Sequence, residues 1–479
     1  MKGFFFPIAL AEEIMNIPLL IVIIYLCFLA MISIVSIRLV KNEALGFLLA
    51  GRAWPWYMVA FMLTGLAIGG ASTVGTAQMA FESGLPAGWY NVAWGFGALF
   101  MGIFGASQWR SMGISTVPEM LGMYYTASSR ILGVILQFMI IMTVTCLQFV
   151  AGGALLSAML PDYFSLFSGM LLTAIVFVGI ALIGGFWAGG LSNVLNVIII
   201  WIGITVGMAA CWSLAGGTEV IISRLPRELD YFNLVQGLGW GVLLGWFIVM
   251  ATMTFTMQGV VQVGLAARSP GHAKWGFIAG AIFMAPLGFF SAYMGIAAKS
   301  LYPDITSVKA LPTIIMNTDP VVAGLTLSGL WAADISTGVA LLISSATLLE
   351  KDIYEWFMER RGLGVPRERA LSLSRYLVLV IGLIGFYMAV KAASILNTLL
   401  IGLTLCTPFT IIFLFTTFLP GFCKKFAAFW TILAGGLIVV LWLIFPAIRI
   451  LPHAIYLEWL ITLPLFIILC LILKDPIKC

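Results

Sequence analysis

The sequence predicts an all-α polytopic membrane protein, and three observations carry that prediction. Hydrophobic residues make up 62% of the 479, charged residues only 9%, and mean hydropathy is +1.11; a soluble domain needs roughly 25% charged residues to face water. The length accommodates a dozen or more spans at about 20 apolar residues each. Uninterrupted apolar runs, rather than short alternating segments, mark the spans as helices and argue against a β-barrel. No polar stretch exceeds roughly 25 residues, too few for a separate soluble domain.

Charges, prolines and glycines bound about thirteen such runs. The first, 17–37, stops at Arg38. The second, 56–80, follows Pro55 and stops before Glu82, and the third, 87–108, lies between Pro86 and Arg110. Arg130 precedes 131–160, which ends at Pro161. The runs 165–185 and 191–214 are divided by the glycines 184, 185, 189 and 190. Next come 238–265, ending before Arg268, then 276–299 after Lys274, then 323–349 between Pro320 and Glu350. The last four are 373–391, 394–419 (closed by Pro420), 427–447 after Lys425, and 457–474.

Lys and Arg segregate across these runs, which sets orientation. Alternate connections hold Arg38, Lys41, Arg52, Arg110, Arg130, Arg268, Lys274, Lys351, Arg360, Arg361, Arg367, Arg369, Arg375, Lys424, Lys425, Lys474 and Lys478, which is 17 of the 24. The other side holds Lys2, Arg224, Arg227, Lys299, Lys309, Lys391 and Arg449. The rich side is expected to be cytoplasmic, placing the N-terminus outside and the C-terminus inside the plasma (inner) membrane. No signal peptide is expected, because no small-residue cleavage site follows the run Phe4–Leu10.

Seven cysteines (27, 146, 211, 406, 423, 470 and 479) sit mostly within apolar runs without paired or metal-ligand spacing, and read as small packing residues. Two histidines, His272 and His453, cannot build a histidine metal site. The net charge of +5 follows from loop topology, and no dense basic patch offers a nucleic-acid surface.

Glycines cluster in two spans that lie five apart. Gly65, Gly69, Gly70 and Gly75 fall in the second, while the seventh opens with GLGWGVLLGW. Interrupted helices at corresponding positions of two halves are the mark of an inverted-repeat transporter; close helix packing accounts for part of the same pattern. An odd number of helices per half inserts the second upside down, the geometry of alternating access.

The segment 329–357, GLWAADISTGVALLISSATLLEKDIYEWF, carries the chemistry. Ala333, Ser336 and Thr337 share one helical face at i, i+3 and i+4. One backbone carbonyl and two hydroxyls are hard oxygen ligands for an alkali cation; equally, such hydroxyls in membrane helices bond back to their own backbone.

This segment resembles the eighth core helix of the sodium/solute symporter family: Ala333-Asp334-Ile335-Ser336-Thr337 follows its Ala-x-x-Ser-Ser/Thr pattern, and Lys351-Asp352-Ile353-Tyr354 its Asp-Ile/Leu-Tyr terminus. FLLAGRAWPW (47–56), GMYYTASSRILG (122–133), IGGFWAGGLSN (183–193) and QGVVQVGLAARS (258–269) resemble further family segments, in the right order. The resemblance implies the LeuT-like fold: an extra N-terminal helix (17–37), a ten-helix core of two inverted repeats (56–214 and 238–419), and two peripheral helices (427–474). It implies a main sodium site built from the carbonyls of Gly65 and Ile68, that of Ala333, and the hydroxyls of Ser336 and Thr337. It also implies sodium-coupled symport, with a small solute and sodium as partners, no enzymatic activity, and an oligomeric state that is open and compatible with a monomer.

Three departures from the family are informative. A second sodium site in some members uses an Asp and two hydroxyls; matching positions here are Asn193, Val339 and Ala340, so one sodium per cycle is expected. Asp334 stands where the family more often has a neutral residue, and reads as the only acid deep in a span. It can strengthen the sodium site by charge, bond neighbouring helices, or meet a cationic solute or proton. Finally, the sugar-contacting positions of galactose-transporting members become Ser72, Asn91, Met253 and Val249, which disfavours a hexose. The expected solute contacts are Ser72, Thr73, Asn91, Gln148, Thr252, Met253, Gln258 and Thr404. A small polar metabolite such as an amino acid or carboxylate is the expected solute. Proton coupling through Asp334, or a sensor without transport, is the alternative. A membrane-embedded enzyme lacks a nucleophile–base pair, and a channel lacks repeated selectivity elements.

Overall fold

A chain this apolar must satisfy each backbone N–H and C=O within its own segment, and it does so in helices. The computed structural model describes residues 16–40, 43–391 and 402–477, and among them no strand forms. The readings on Lys2, Lys41, Lys478, Cys479 and the first part of 394–419 lie outside the described residues.

The long helices are α1 (Ile17–Val40), α2 (Trp56–Ala67), α3 (Thr76–Ser83), α4 (Trp89–Phe104), α5 (Ala127–Met159) and α6 (Leu166–Leu214). They continue with α7 (Gly239–Thr256), α8 (Gln258–Leu265), α9 (Pro270–Met284), α10 (Leu287–Leu301), α11 (Pro320–Leu348), α12 (Arg367–Lys391), α13 (Cys406–Phe418), α14 (Ala427–Ile444) and α15 (Ala454–Ile472). Among the described residues nine helices are long and apolar enough to cross a bilayer, or ten with the bent α2–α3 pair counted as one.

This tally falls short of thirteen partly because one run holds two crossings. Helix α6 has 49 residues, about 74 Å at ~1.5 Å per residue, against a hydrocarbon core of about 30 Å. At Gly185 the backbone leaves the helix (φ 55°, ψ −139°). Before that point Thr173 accepts a bond from Trp331 Nε1, and Phe177 abuts Gly338, so the chain runs parallel to α11. Beyond it Gly189 meets Val339, and the Gly203 carbonyl accepts from Thr326 Oγ1, so the chain runs back. A side chain at residue 185 would be strained at this φ and would run into Phe47. Shortness accounts for another: α4 spans 16 residues.

Helix α11 is the centre of the bundle. Nearly all of its residues are buried, whereas α1 and α15 are largely exposed and lie at the periphery. It packs against α6, α5, α1, α12 and α2.

Two helices are broken. The first break, Ile68–Gly70, separates α2 from the π turn Ala71–Gly75 and α3, with a bend of 60°. The second falls at Met257 (φ −65°, ψ 120°) between α7 and α8. It does not fall in the glycine cluster that opens α7: there Gly241 and Gly245 admit Pro452, His453 and Tyr456, so these glycines make room for α15.

Each break leaves orphan backbone groups that side chains must satisfy. At Met257 the amide of Gln137 does both jobs, donating to the Thr256 carbonyl at 2.8 Å and accepting from Gln258 N at 3.0 Å. Gln258 in turn accepts from Val117 N (2.8 Å) and donates to Ser115 O and Gln262 Oε1, and Gln262 donates to Leu48 O and Thr347 Oγ1. Replacing Gln258 with alanine orphans three buried groups, each worth about 1–3 kcal/mol. A loss of about 2–4 kcal/mol is expected after partial relaxation, read as a lowered melting temperature of the detergent-purified protein.

Candidate functional site

The break in the α2–α3 helix and the face of α11 opposite it form the candidate site. Helix α2 ends at Ala67, and Ile68 has ψ 83°, so the chain leaves the helix and its last carbonyls lose their partners. Helix α11 supplies donors at that level. Ser336 Oγ donates to Gly65 O (2.6 Å) and lies 2.7 Å from Ala333 O. Thr337 Oγ1 lies 3.2 Å from Gly65 O, 3.1 Å from Leu66 O and 3.1 Å from Ala333 O. Residues 271 apart in sequence thus meet through five oxygens.

Glycine is required here by close approach. A Cβ on Gly65 would lie 2.6 Å from Asn193 Nδ2 and 3.1 Å from Ser336 Cβ; one on Gly69 would lie 2.7 Å from Gln148 Oε1 and 2.9 Å from Thr337 Oγ1. The Gly70 N–H donates to Gln148 Oε1 at 3.3 Å. Beside Gly65, Thr337 also bonds the Leu66 carbonyl, and among the described bonds none joins Ile68 to α11.

A cavity of about 30 Å³ adjoins these oxygens, lined by Leu66, Ala67, Gly69, Ser72, Tyr90, Trp94, Gln148, Met253 and Thr337 among others. It has room for about one water. A metabolite requires the surrounding helices to part. Of the expected solute contacts, Ser72, Gln148 and Met253 line it. The others sit elsewhere. Thr73 bonds back to Gly69 O, and Thr252 Oγ1 accepts from Trp459 Nε1 on α15. Gln258 is committed to the α7–α8 junction, Asn91 packs against Gly288, and the Thr404 carbonyl accepts from Thr407. Tyr90 and Trp94 were missed as lining residues; their i, i+4 spacing on α4 is the signal that places two rings on one face.

Asn193, at the lost carboxylate position, uses both ends of its amide. Nδ2 lies 3.4 Å from Met62 O and 3.1 Å from Met62 Sδ, and Oδ1 accepts from Asn196. Asp334 is fully buried, and so is Glu458 in α15. Glu458 lies in the first turns of α15, which begins at Ala454.

A helical membrane bundle with a broken helix clasped by the hydroxyls of its most buried helix has the architecture of a secondary transporter. The model of the sodium:solute symporter family matches residues 47–435, and the chain belongs to that family. It is 26% identical over 385 residues to sodium/glucose cotransporter 4 of Danio rerio, covering 70% of this chain and 57% of that one. It is 24% identical over 490 residues to sodium/myo-inositol cotransporter 2 of Homo sapiens, covering 90% and 70%. The chain thus spans a little over half the length of the first of these relatives. Its fold matches a Na+-coupled sialic acid symporter in a substrate-bound outward-open state, with TM-score 0.82, 16% identity and coverage of 96% and 98%. A nucleobase-cation-symport-1 family transporter with bromovinylhydantoin bound matches at 0.62 and 16% identity, covering 88% and 93%.

Proposed function

We propose that the protein is a sodium-coupled symporter that takes up a small polar organic solute by alternating access, with one sodium per cycle. The observation that carries this reading is the convergence of the Ser336 and Thr337 hydroxyls on the Gly65 and Ala333 carbonyls at the helix break. These are uncharged hard oxygens, the donor type that replaces the water shell of an alkali cation. As sodium enters, the two hydroxyls turn their protons away and offer lone pairs. The bonds they now make to the carbonyls hold the same oxygens together without it. Gly65, Ala333, Ser336 and Thr337 are the assigned ligands, with Ile68 expected from the family pattern.

Sodium bound there ties α2 to α11, which belong to opposite repeats, and so couples ion occupancy to the relative position of the two halves. The solute takes the adjoining space beside Ser72, Tyr90, Trp94, Gln148 and Met253. That lining is largely apolar with few directional groups, which fits a compact metabolite with an apolar part better than a hexose. The membrane potential contributes about 2.3 kcal/mol per charge per 100 mV. The N-terminus is proposed to face outward and the C-terminus the cytoplasm.

Uptake into proteoliposomes under an imposed sodium gradient, with a labelled panel of amino acids, carboxylates and polyols, tests the reading. Stimulation by sodium over potassium is expected for at least one solute, with one sodium per solute. The ratio follows from Asn193, whose amide is already engaged, and from the hydrocarbon of Val339 and Ala340. A measured ratio of two overturns the single-sodium assignment, and uptake driven by a proton gradient alone favours the proton-coupled alternative.

A further inference from the structure

We propose that Asp334 is the counter-charge of the coupling cation, so that one monovalent cation and this carboxylate form a neutral pair at the break of α2–α3. The inference rests on the sodium reading above and adds to it a charged residue outside the five neutral oxygens.

Asp334 is 0% exposed, and among the described residues no side chain bonds either carboxylate oxygen. A buried acid kept for structure has its oxygens bonded, because an unmet buried charge is among the costliest features a fold can carry. Its surroundings show where a partner would lie. A Cβ on Gly70 would stand 2.7 Å from Asp334 Oδ1, so the carboxylate abuts the break. The Gly70 N–H donates to Gln148 Oε1 at 3.3 Å and also acts on the Asp334 carboxylate, a single neutral donor for a buried charge. A Cβ on the preceding residue, Gly69, would touch both Gln148 Oε1 and Thr337 Oγ1. Thr337 therefore bonds the neutral oxygens of Gly65, Leu66 and Ala333 and, with Gln148, flanks Gly69, the residue before the one that Asp334 abuts.

Among the described residues no ionisable side chain acts on Asp334. Of the other buried acids, Asp352 is paired with Arg130 at 2.8 Å and Glu350 accepts from Ser374 at 2.7 Å. Glu458 also has neither oxygen bonded among the described residues, but it lies beside Gly435 of α14, in the peripheral pair. Asp334 is thus the buried carboxylate next to the proposed ion ligands that lacks a compensating group. A cation among neutral oxygens in a dry interior bears a desolvation cost, and so does a lone carboxylate. Placed side by side, each offsets the other. The expected consequence is tighter sodium binding than neutral oxygens alone provide, and a loaded site with no net charge.

The experiment is equilibrium binding of radioactive sodium to the purified full chain in nanodiscs, with potassium keeping ionic strength constant. Wild type, Asp334→Asn and Ser336→Ala are compared without any solute. Asp334→Asn is isosteric and is expected to raise the sodium Kd at least about tenfold, since removing one member of a buried charge pair exposes the full cost of the other. If wild type binds sodium, Ser336→Ala weakens it and Asp334→Asn matches wild type, this inference is overturned while the sodium site stands. If wild type binds none, the sodium reading itself fails. Should Asp334→Asn not fold, infrared difference spectra of wild type carrying isotope-labelled aspartate carboxyls decide. Exchange of potassium for sodium is expected to shift an aspartate carboxylate band, and an unchanged aspartate spectrum overturns the proposal.

Discussion

Changing Ser336 to alanine together with Thr337 to valine is expected to abolish sodium-stimulated uptake while leaving a folded protein in the membrane. Both replacements keep volume close to that of the original side chain; alanine lacks the Ser336 hydroxyl, and valine has a methyl in place of the Thr337 hydroxyl. An interaction with a charged group is worth about 1.5–3 kcal/mol, so losing two ligands together corresponds to a fall in sodium affinity of about a hundredfold or more. Valine at 337 also leaves the Leu66 carbonyl without the hydroxyl it now meets at 3.1 Å. The two single variants should be intermediate, and coupled, because both hydroxyls reach the carbonyls of Gly65 and Ala333. Sodium-concentration curves for uptake in proteoliposomes, with melting in detergent as the fold control, check this. Wild-type sodium dependence in the double variant would remove these residues from the ion pathway.

The second large effect is on stability. Arg130 at the start of α5 donates from Nε to Asp352 at 2.8 Å and from Nη2 to the Lys351 carbonyl at 3.3 Å. Asp352 is fully buried in the π turn Leu349–Glu355 that extends α11. Arg130→Gln leaves that carboxylate buried without its cation, a change worth about 3–5 kcal/mol of destabilisation. Adding Asp352→Asn removes the orphaned charge, and the double variant is expected to recover much of the loss. Melting of the four proteins in a double-mutant cycle measures the coupling. Strict additivity would show that the pair contributes nothing. The pair also gives the Lys351-Asp352-Ile353-Tyr354 motif a physical role: it anchors the end of the central helix to α5.

Much of this site is legible along the chain. The spacing of Ala333, Ser336 and Thr337 fixes them to one helical face whatever surrounds them, and the glycines around residue 69 mark the partner helix. The pairing of these two segments was reached through family resemblance, since no local pattern dictates contact between residues 271 apart. Solute contacts were the least legible. A buried glutamine reads alike whether it lines a cavity, as Gln148 does, or repairs a break in the backbone, as Gln137 and Gln258 do. Burial near 0% is common to all three, and only the direction of the amide separates them.

By itself the sequence determined that this protein lives in a bilayer, that its spans are helices, and that one helix carries hydroxyls on a shared face. Those properties follow from hydropathy and helical period, which are local. Tertiary structure alone decided that α11 is the most buried helix, that the α7–α8 break falls at Met257, and that Thr337 also bonds the Leu66 carbonyl. It also decided that Asp334 abuts the break with no side chain bonding it among the described residues. These depend on which groups remain unsatisfied once helices pack, a quantity fixed by distant neighbours and not by the residues on either side.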